Sequence, residues 1–327
     1  MFSGIQPTGD LHLGNYLGAV RNWVQLQADN ECFFTIVDLH AMTEPWDAAV
    51  LSDQTLRTAA SLIACGVDPD KAVLFVQSDV AEHTELTWAL LCIARMGELR
   101  RMIQFKEKSK GETESVGVGL FTYPVLQTAD VLLYQAHGVP VGDDQRQHVE
   151  LMRDLALRFN QTFGETFVVP EAWIPATGAR VMALDDPTQK MSKSAARPAS
   201  SILLVDPPEI VTKKLKAAVT DSGRDVRAGD DKPALTNLLG IFSLLEGTPV
   251  AELEARFEGV GYGDFKTALA EAAVTALDPI RARYEELSSD PAELERLLRA
   301  GAERARSVAA STIAAVRAAV GLAAERR

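Results

Sequence analysis

Cysteine is scarce and dispersed: Cys32, Cys65 and Cys92 are the three in 327 residues, and no CxxC pair occurs. This excludes a zinc ribbon or a dithiol redox centre, and leaves core thiols in a reducing compartment as the plain reading. Long apolar runs are lacking too. The most apolar tract, residues 308–324, is interrupted by Ser311, Thr312 and Arg317, which suits an Ala-rich helix and not a membrane span. No basic segment precedes an apolar stretch at the N-terminus, so a secretory address is not expected; a cytoplasmic chain without membrane attachment is. Positive charge is in deficit, with 33 Lys and Arg against 45 Asp and Glu and a net charge of −12. That balance argues against a protein that coats nucleic acid non-specifically, because Lys and Arg drive phosphate binding. Internal repeats and low-complexity linkers are also missing, while the length suffices for a sizeable core and more than one domain.

Basic residues nevertheless cluster locally. One group is Arg95, Arg100, Arg101, Lys106, Lys108 and Lys110, a second is Lys213, Lys214 and Lys216, and a third is Arg304, Arg306, Arg317, Arg326 and Arg327. Each is a solvated helix face or a contact to RNA.

What is present is concentrated in two stretches. Pro7-Thr8-Gly9-Asp10-Leu11-His12-Leu13-Gly14-Asn15 follows a very short apolar start and opens a helix. A strand, a Gly-containing turn and a helix N-terminus form an anion site of the kind that holds nucleotide phosphates. Neither a Walker Gly-Lys-Ser/Thr nor GxGxxG is present, so His12 and Asn15 are expected to flank the phosphates with side-chain donors. Far downstream, Lys190-Met191-Ser192-Lys193-Ser194 sets two ammonium groups and two hydroxyls on a short loop.

The first hundred residues alternate strand and helix. Residues 14–29 read as a helix, 31–38 as a strand buried on both faces, 47–65 as a helix stopped at Gly66, 72–77 as a second buried strand and 82–95 as a helix. This is the α/β pattern of a Rossmann-type, doubly wound parallel sheet, with ligands at the strand C-termini near Gln6, His40 and Ser78. The alternation pauses over residues 97–136, where two helical stretches flank the Gly/Glu/Ser-rich segment 111–117. A short strand at Val139–Gly142, an amphipathic helix over 144–160, an irregular Pro-containing stretch over 168–180 and a last strand at 181–184 follow. Beyond Pro198 only helices are expected: 207–219, 233–245, 250–258, 262–288 and 291–320. The domains read as a catalytic unit, 1–195, and a C-terminal all-helical one, 196–327.

The paired stretches resemble the class I aminoacyl-tRNA synthetases: His12-Leu13-Gly14-Asn15 stands in the place of their HIGH motif, and residues 190–194 spell KMSKS. Within that class, Gln6-Pro7-Thr8-Gly9, Tyr123-Pro124-Val125-Leu126-Gln127-Thr128-Ala129-Asp130 and Val141-Gly142-Asp143-Asp144-Gln145-Arg146-Gln147-His148 are similar to the bacterial tryptophanyl-tRNA synthetases, essentially end to end. The resemblance implies activation of L-tryptophan by ATP, brought with Mg²⁺ and without a protein-ligated metal, followed by transfer to tRNA(Trp). It also implies a homodimer, with residues 97–136 shaping the pocket and the interface, and an anticodon reader in the helical domain.

The resemblance further assigns catalysis to Thr8, His12, Asn15, Lys190 and Lys193. ATP contacts fall on Gln6, Pro7, Thr8, Gly14, Asn15, Gly142, Asp143, Asp144, Val181, Lys190, Met191, Ser192, Lys193 and Ser194, with Asp144 on the ribose and Val181 lending backbone to the adenine. The tryptophan pocket maps onto Phe2, Gln6, His40, Tyr123, Gln127, Asp130, Val139, Val141 and Gln145, with Ser3 beside them. Asp130, among apolar neighbours, is the expected acceptor for the indole N–H. Three positions depart from the family: Gln127 where many members have Met, Asp143 where Glu is usual, and Ala195 where Asp often follows the Lys loop. The chemistry asks mainly for positioning and for charge stabilisation on the leaving pyrophosphate, which suits Lys190 and Lys193 on a mobile loop. Two alternatives stand beside an active ligase: an idle paralogue that binds nucleotide or RNA, and the related tyrosyl enzyme, which the Val141–His148 stretch disfavours.

Overall fold

Short apolar strands set the frame. The structure, a computed structural model, describes residues 1–103, 116–174, 180–192 and 197–322, and Asp143 as backbone only. Lys193, Ser194, Ala195, Lys106, Lys108, Lys110, Arg326 and Arg327 lie outside the described residues. Strands β1 (Phe2–Ile5), β2 (Phe33–Ile36) and β3 (Val73–Val76) form a parallel sheet in that order, with Phe2 opposite Phe33 and Phe33 opposite Val73. Strands β4 (Gly138–Pro140) and β5 (Glu171–Trp173) form a second parallel pair. β4 runs beside β1, where the Ser3 hydroxyl donates to the Pro140 carbonyl at 3.4 Å.

Helices cover both faces because strand side chains alternate. Phe34, Ile36, Leu74 and Val76 point into one core with Leu17, Leu62, Leu238 and Phe242; Phe2, Phe33, Val73 and Phe75 point into the other with Leu86, Leu155 and Phe159. The helices in chain order are α1 (Leu13–Asn15), α2 (Arg21–Leu26), α3 (Asp38–Ala41), α4 (Ala48–Ala64), α5 (Glu82–Leu91), α6 (Met96–Arg100), α7 (Val118–Leu132) and α8 (Arg146–Phe163). After residue 197 come α9 (Pro208–Ala217), α10 (Pro233–Glu246), α11 (Val250–Arg256), α12 (Tyr262–Ser288) and α13 (Pro291–Ala319). Asp47 caps α4 by accepting from the Ala49 N–H at 2.9 Å, and Gly66 ends that helix at φ 105°. No single helix among the described residues is long and apolar enough to cross a membrane.

Three expectations are corrected. The helix expected over 14–29 is broken by a π-helical turn, Tyr16–Val20, between α1 and α2. Residues 181–184 form no strand; Met182 makes only an isolated antiparallel bridge to Lys190, while β5 lies in the stretch expected to be irregular. Its three residues are too short for periodicity to register, and it exists because β4 supplies the other half of its hydrogen bonds. Cys92 is exposed, unlike Cys32 and Cys65, because it lies one helical turn beyond the outward-facing Trp88.

The last helix carries Arg304, Arg306 and Arg317, named above as candidate contacts to RNA. α13 turns back onto β3, and Ala302, Ala305, Ala309 and Ile313 join the second core. Arg304 donates to the Pro69 carbonyl at 2.8 Å, Arg306 to the Asp79 carbonyl, and Arg317 pairs with Glu85 at 2.6 Å. These guanidinium groups therefore brace α13 at both ends of β3 and against α5.

Candidate active site

A cleft of about 690 Å³ opens where β1 and β4 end. All nine residues expected around the amino acid line it, Phe2, Gln6, His40, Tyr123, Gln127, Asp130, Val139, Val141 and Gln145, together with Ser3. Of the expected nucleotide contacts, Gln6, His12, Gly14, Asn15, Gly142, Asp144, Val181, Lys190 and Met191 line it as well. Pro7, Thr8 and Ser192 are not among the lining residues: Pro7 is buried beneath the turn and Thr8 is exposed on it.

The phosphate end is built on local hydrogen bonds. His12 caps α1: its Nδ1 accepts from the Asn15 N–H at 3.2 Å, and its own N–H donates to the Asn15 side-chain oxygen at 3.1 Å. An accepting Nδ1 puts the imidazole proton of the neutral ring on Nε2, and an accepting Asn15 oxygen turns the amide NH₂ outward as the donor. Gly14 packs closely beside them, since a Cβ there would meet His12 Nδ1 at 3.0 Å. Gly9, at φ 96°, makes the preceding turn, and Asp10 fixes it to α4 through Arg57 at 2.7 and 2.8 Å. The π turn carries Gly18 and Ala19 to the cleft wall, a frequent use of an inserted residue.

The two signature stretches are joined by backbone. The Leu13 N–H donates to the Ile202 carbonyl at 2.8 Å and the Leu204 N–H to the Leu11 carbonyl at 2.9 Å. Upstream of the lysine loop a hairpin forms, with the Met191 N–H on the Val181 carbonyl at 3.0 Å and the Ala183 N–H on the Gln189 carbonyl at 2.8 Å. Asn237 of α10 clamps its midpoint, accepting from the Met182 N–H at 2.9 Å and donating to the Met182 carbonyl at 3.1 Å. Lys190 is thereby held exposed at the cleft, with Met191 buried against Gly14. Beyond β4, Gly142 admits the Asp144 carboxylate, whose Oδ1 would lie 2.7 Å from a Cβ at that position. Gln145 donates to Asp144 Oδ2 at 3.1 Å.

The floor is a buried carboxylate. Asp130, 1% exposed, accepts at Oδ1 from Gln77 Nε2 at 2.7 Å and His83 Nδ1 at 2.6 Å, and at Oδ2 from His40 Nε2 at 2.7 Å. Burial alone would raise its pKa, but the His40 and His83 contacts outweigh it and hold the carboxyl well below the usual range, so Asp130 is ionised. Tyr123 is hydrogen-bonded to His148 at 2.9 Å, and burial pushes its hydroxyl up to about 12, keeping it a neutral donor. The sequence carried no signal for Gln77, just after β3, or His83 of α5, which meet Asp130 only in the fold, nor for Tyr134, just after α7, which meets His83. Arg180 and Ile174, also unforeseen, complete the cleft rim.

Comparison with known proteins agrees with this arrangement. A family model described as tRNA synthetases class I (W and Y) matches residues 1–278. The tryptophan–tRNA ligase of Caldanaerobacter subterraneus subsp. tengcongensis is 52% identical over 323 residues, covering 98% of each chain. Among solved structures, the tryptophanyl-tRNA synthetase of Mycoplasma pneumoniae superposes with a TM-score of 0.90 at 38% identity, covering 98% of this chain and 97% of that one. The Campylobacter jejuni tryptophanyl-tRNA synthetase, solved with ADP and tryptophan, gives 0.84 at 37% identity, covering 98% and 99%. By fold, by both signature stretches and by half its residues over nearly the whole length, the chain belongs to the class I tRNA synthetases of the tryptophan and tyrosine group, among the tryptophan–tRNA ligases.

Proposed function

We propose that the cleft binds L-tryptophan over Asp130 and ATP over His12 and Asn15, and joins them before tRNA(Trp) is charged. The tryptophan carboxylate attacks the α-phosphorus, the bond to the β-phosphate oxygen breaks, and pyrophosphate leaves with the Mg²⁺ that entered on ATP. His12 Nε2–H and the Asn15 amide stabilise the phosphates; Lys190 and, by resemblance, Lys193 meet charge developing on the leaving group. Thr8, Pro7, Ser192 and Ser194 keep their assignment by resemblance, with Asp143 and Asp144 toward the ribose and Val181 toward the adenine. In the second step a terminal ribose hydroxyl of tRNA attacks the adenylate carbonyl and AMP departs.

The observation that carries this reading is Asp130. Its Oδ2 takes one donor from the protein at the cleft wall, which leaves a second lone pair for the single N–H of an indole. Phenylalanine would leave that acceptor unpaired, and sites built this way reject such analogues by about 10⁴ or more.

Residues 1–195 serve as the catalytic domain and 196–327 as the anticodon reader in a cytoplasmic enzyme, supported by the all-helical character of the described residues beyond Ser200. A two-fold homodimer through the 97–136 region is supported by Trp88, Met96, Ile103 and Val118, apolar side chains 56–75% exposed on and beside α5, α6 and α7. The deciding experiment is amino-acid-dependent ATP–pyrophosphate exchange. Exchange with tryptophan is expected; exchange with tyrosine instead, or with neither, would overturn the reading.

A further inference from the structure

We infer that His83 is a positioning residue for indole recognition, turning the Asp130 carboxylate so that Oδ2 and not Oδ1 faces the substrate. The inference rests on Asp130 as the indole acceptor and adds what holds it.

A carboxylate has about four lone-pair sites. At Asp130, Oδ1 receives two protein donors, Gln77 Nε2 and His83 Nδ1, and is filled; Oδ2 receives only His40 Nε2. His40 and Asp130 line the cleft, whereas Gln77 and His83 are fully buried and do not. The filled oxygen is therefore the rear one, and the oxygen with capacity left is the one a ligand meets.

His83 cannot turn away from this task. A carboxylate only accepts, so Nδ1 carries a proton, and at the far edge Nε2 lies 2.8 Å from the Tyr134 hydroxyl. Burial keeps that hydroxyl protonated, and its hydrogen bond to Nε2 holds the far edge of the ring in place. Tyr134 is itself immobilised, stacked on Phe33 at 4.5 Å and on Phe2 at 5.4 Å, with Phe75 against its edge at 5.7 Å. Phe2 also lines the cleft, so one aromatic stack sets both the apolar wall and, through Tyr134 and His83, the angle of the acceptor. The arrangement resembles a metal-ligating histidine oriented by its outer partner, with the roles of carboxylate and imidazole exchanged.

A merely structural histidine would cost stability, or activity toward every substrate alike. A positioning one changes a ratio. The test compares kcat/KM in ATP–pyrophosphate exchange for tryptophan and for its benzothiophene isostere, which has sulfur in place of the N–H. His83→Phe is expected to cut the preference for tryptophan about tenfold or more, through the KM for tryptophan, with the KM for ATP unchanged. His83→Asn, whose amide can donate near the Nδ1 position, is expected to restore most of it. Tyr134→Phe removes one oxygen from an otherwise intact stack and keeps the question answerable if His83→Phe fails to fold; about a two- to fivefold loss of preference is expected. Asp130→Ala is the control. If it retains the parental preference, the reading of Asp130 as acceptor fails; if it loses the preference while Tyr134→Phe and any folded His83→Phe keep it, the inference about His83 is overturned.

Discussion

At the scale of the residue, ionised side chains are held here by hydrogen-bond donors. Asp130 collects three donors, and removing its charge should weaken the contact proposed for the indole N–H. Asp130→Asn is expected to raise the KM for tryptophan roughly 10- to 100-fold while the KM for ATP stays put, as read by pyrophosphate exchange at varied substrate. A second example sits in the helical region. Asp221 accepts from Lys232 at 3.0 Å, Tyr262 at 2.8 Å and the Gly223 N–H. Partial burial opposes ionisation, but the Tyr262, Lys232 and Gly223 contacts win and lower its pKa from 3.8 to about 2. A depressed folded-state pKa stabilises the fold fully above the ordinary value and loses that contribution as pH falls toward the folded one. The Tm difference between the parent and Asp221→Asn should thus be largest above pH 4 and shrink toward pH 2; a difference that stays constant with pH would show that the charge of Asp221 is irrelevant to stability.

Elements meet through glycine and through one asparagine. A Cβ at Gly301 would fall 1.8 Å from the Leu74 carbonyl oxygen, so α13 lies on β3 at backbone distance. Gly301→Ala has to lift the helix away from the strand, at a cost of about 1–3 kcal/mol by overpacking, which denaturant unfolding would register. Asn237 performs the equivalent joining for the lysine hairpin by holding both backbone groups of Met182. On the proposed placement of the adenine beside Val181, Asn237→Ala should raise the KM for ATP several-fold and leave the KM for tryptophan nearly unchanged; the opposite split would remove Asn237 from nucleotide positioning.

The whole molecule ties its last helix back to its first sheet. Because Arg304 and Arg306 are engaged at carbonyl groups on either side of β3, Arg304→Glu should lower Tm and reduce pyrophosphate exchange and tRNA charging together. Selective loss of charging would instead return the residue to RNA. Assembly has its own probe: paired substitution of Trp88 and Met96 by Glu should turn a dimer into a monomer in sedimentation, while the hydrogen bonds around Asp130 stay intact within each chain.

How much of this could be read from the chain depended on the range of the forces involved. Strand and helix order, the Gly66 stop, the His12-Leu13-Gly14-Asn15 turn and the Lys190 loop are legible because local periodicity, capping and turn chemistry fix them within a few residues. So, by resemblance, is a set of side chains that line the cleft, with Asp130 among them. The sequence alone determined a doubly wound fold with a helical C-terminal region and a group of residues that lines one cleft. Only the tertiary structure decided that Gln77, His83 and Tyr134 stand behind Asp130, that Asn237 holds Met182, and that Arg304 and Arg306 of α13 reach carbonyl groups flanking β3. Those contacts join residues 47 to 235 positions apart, or depend on which lone pair is already occupied, and no local pattern encodes either.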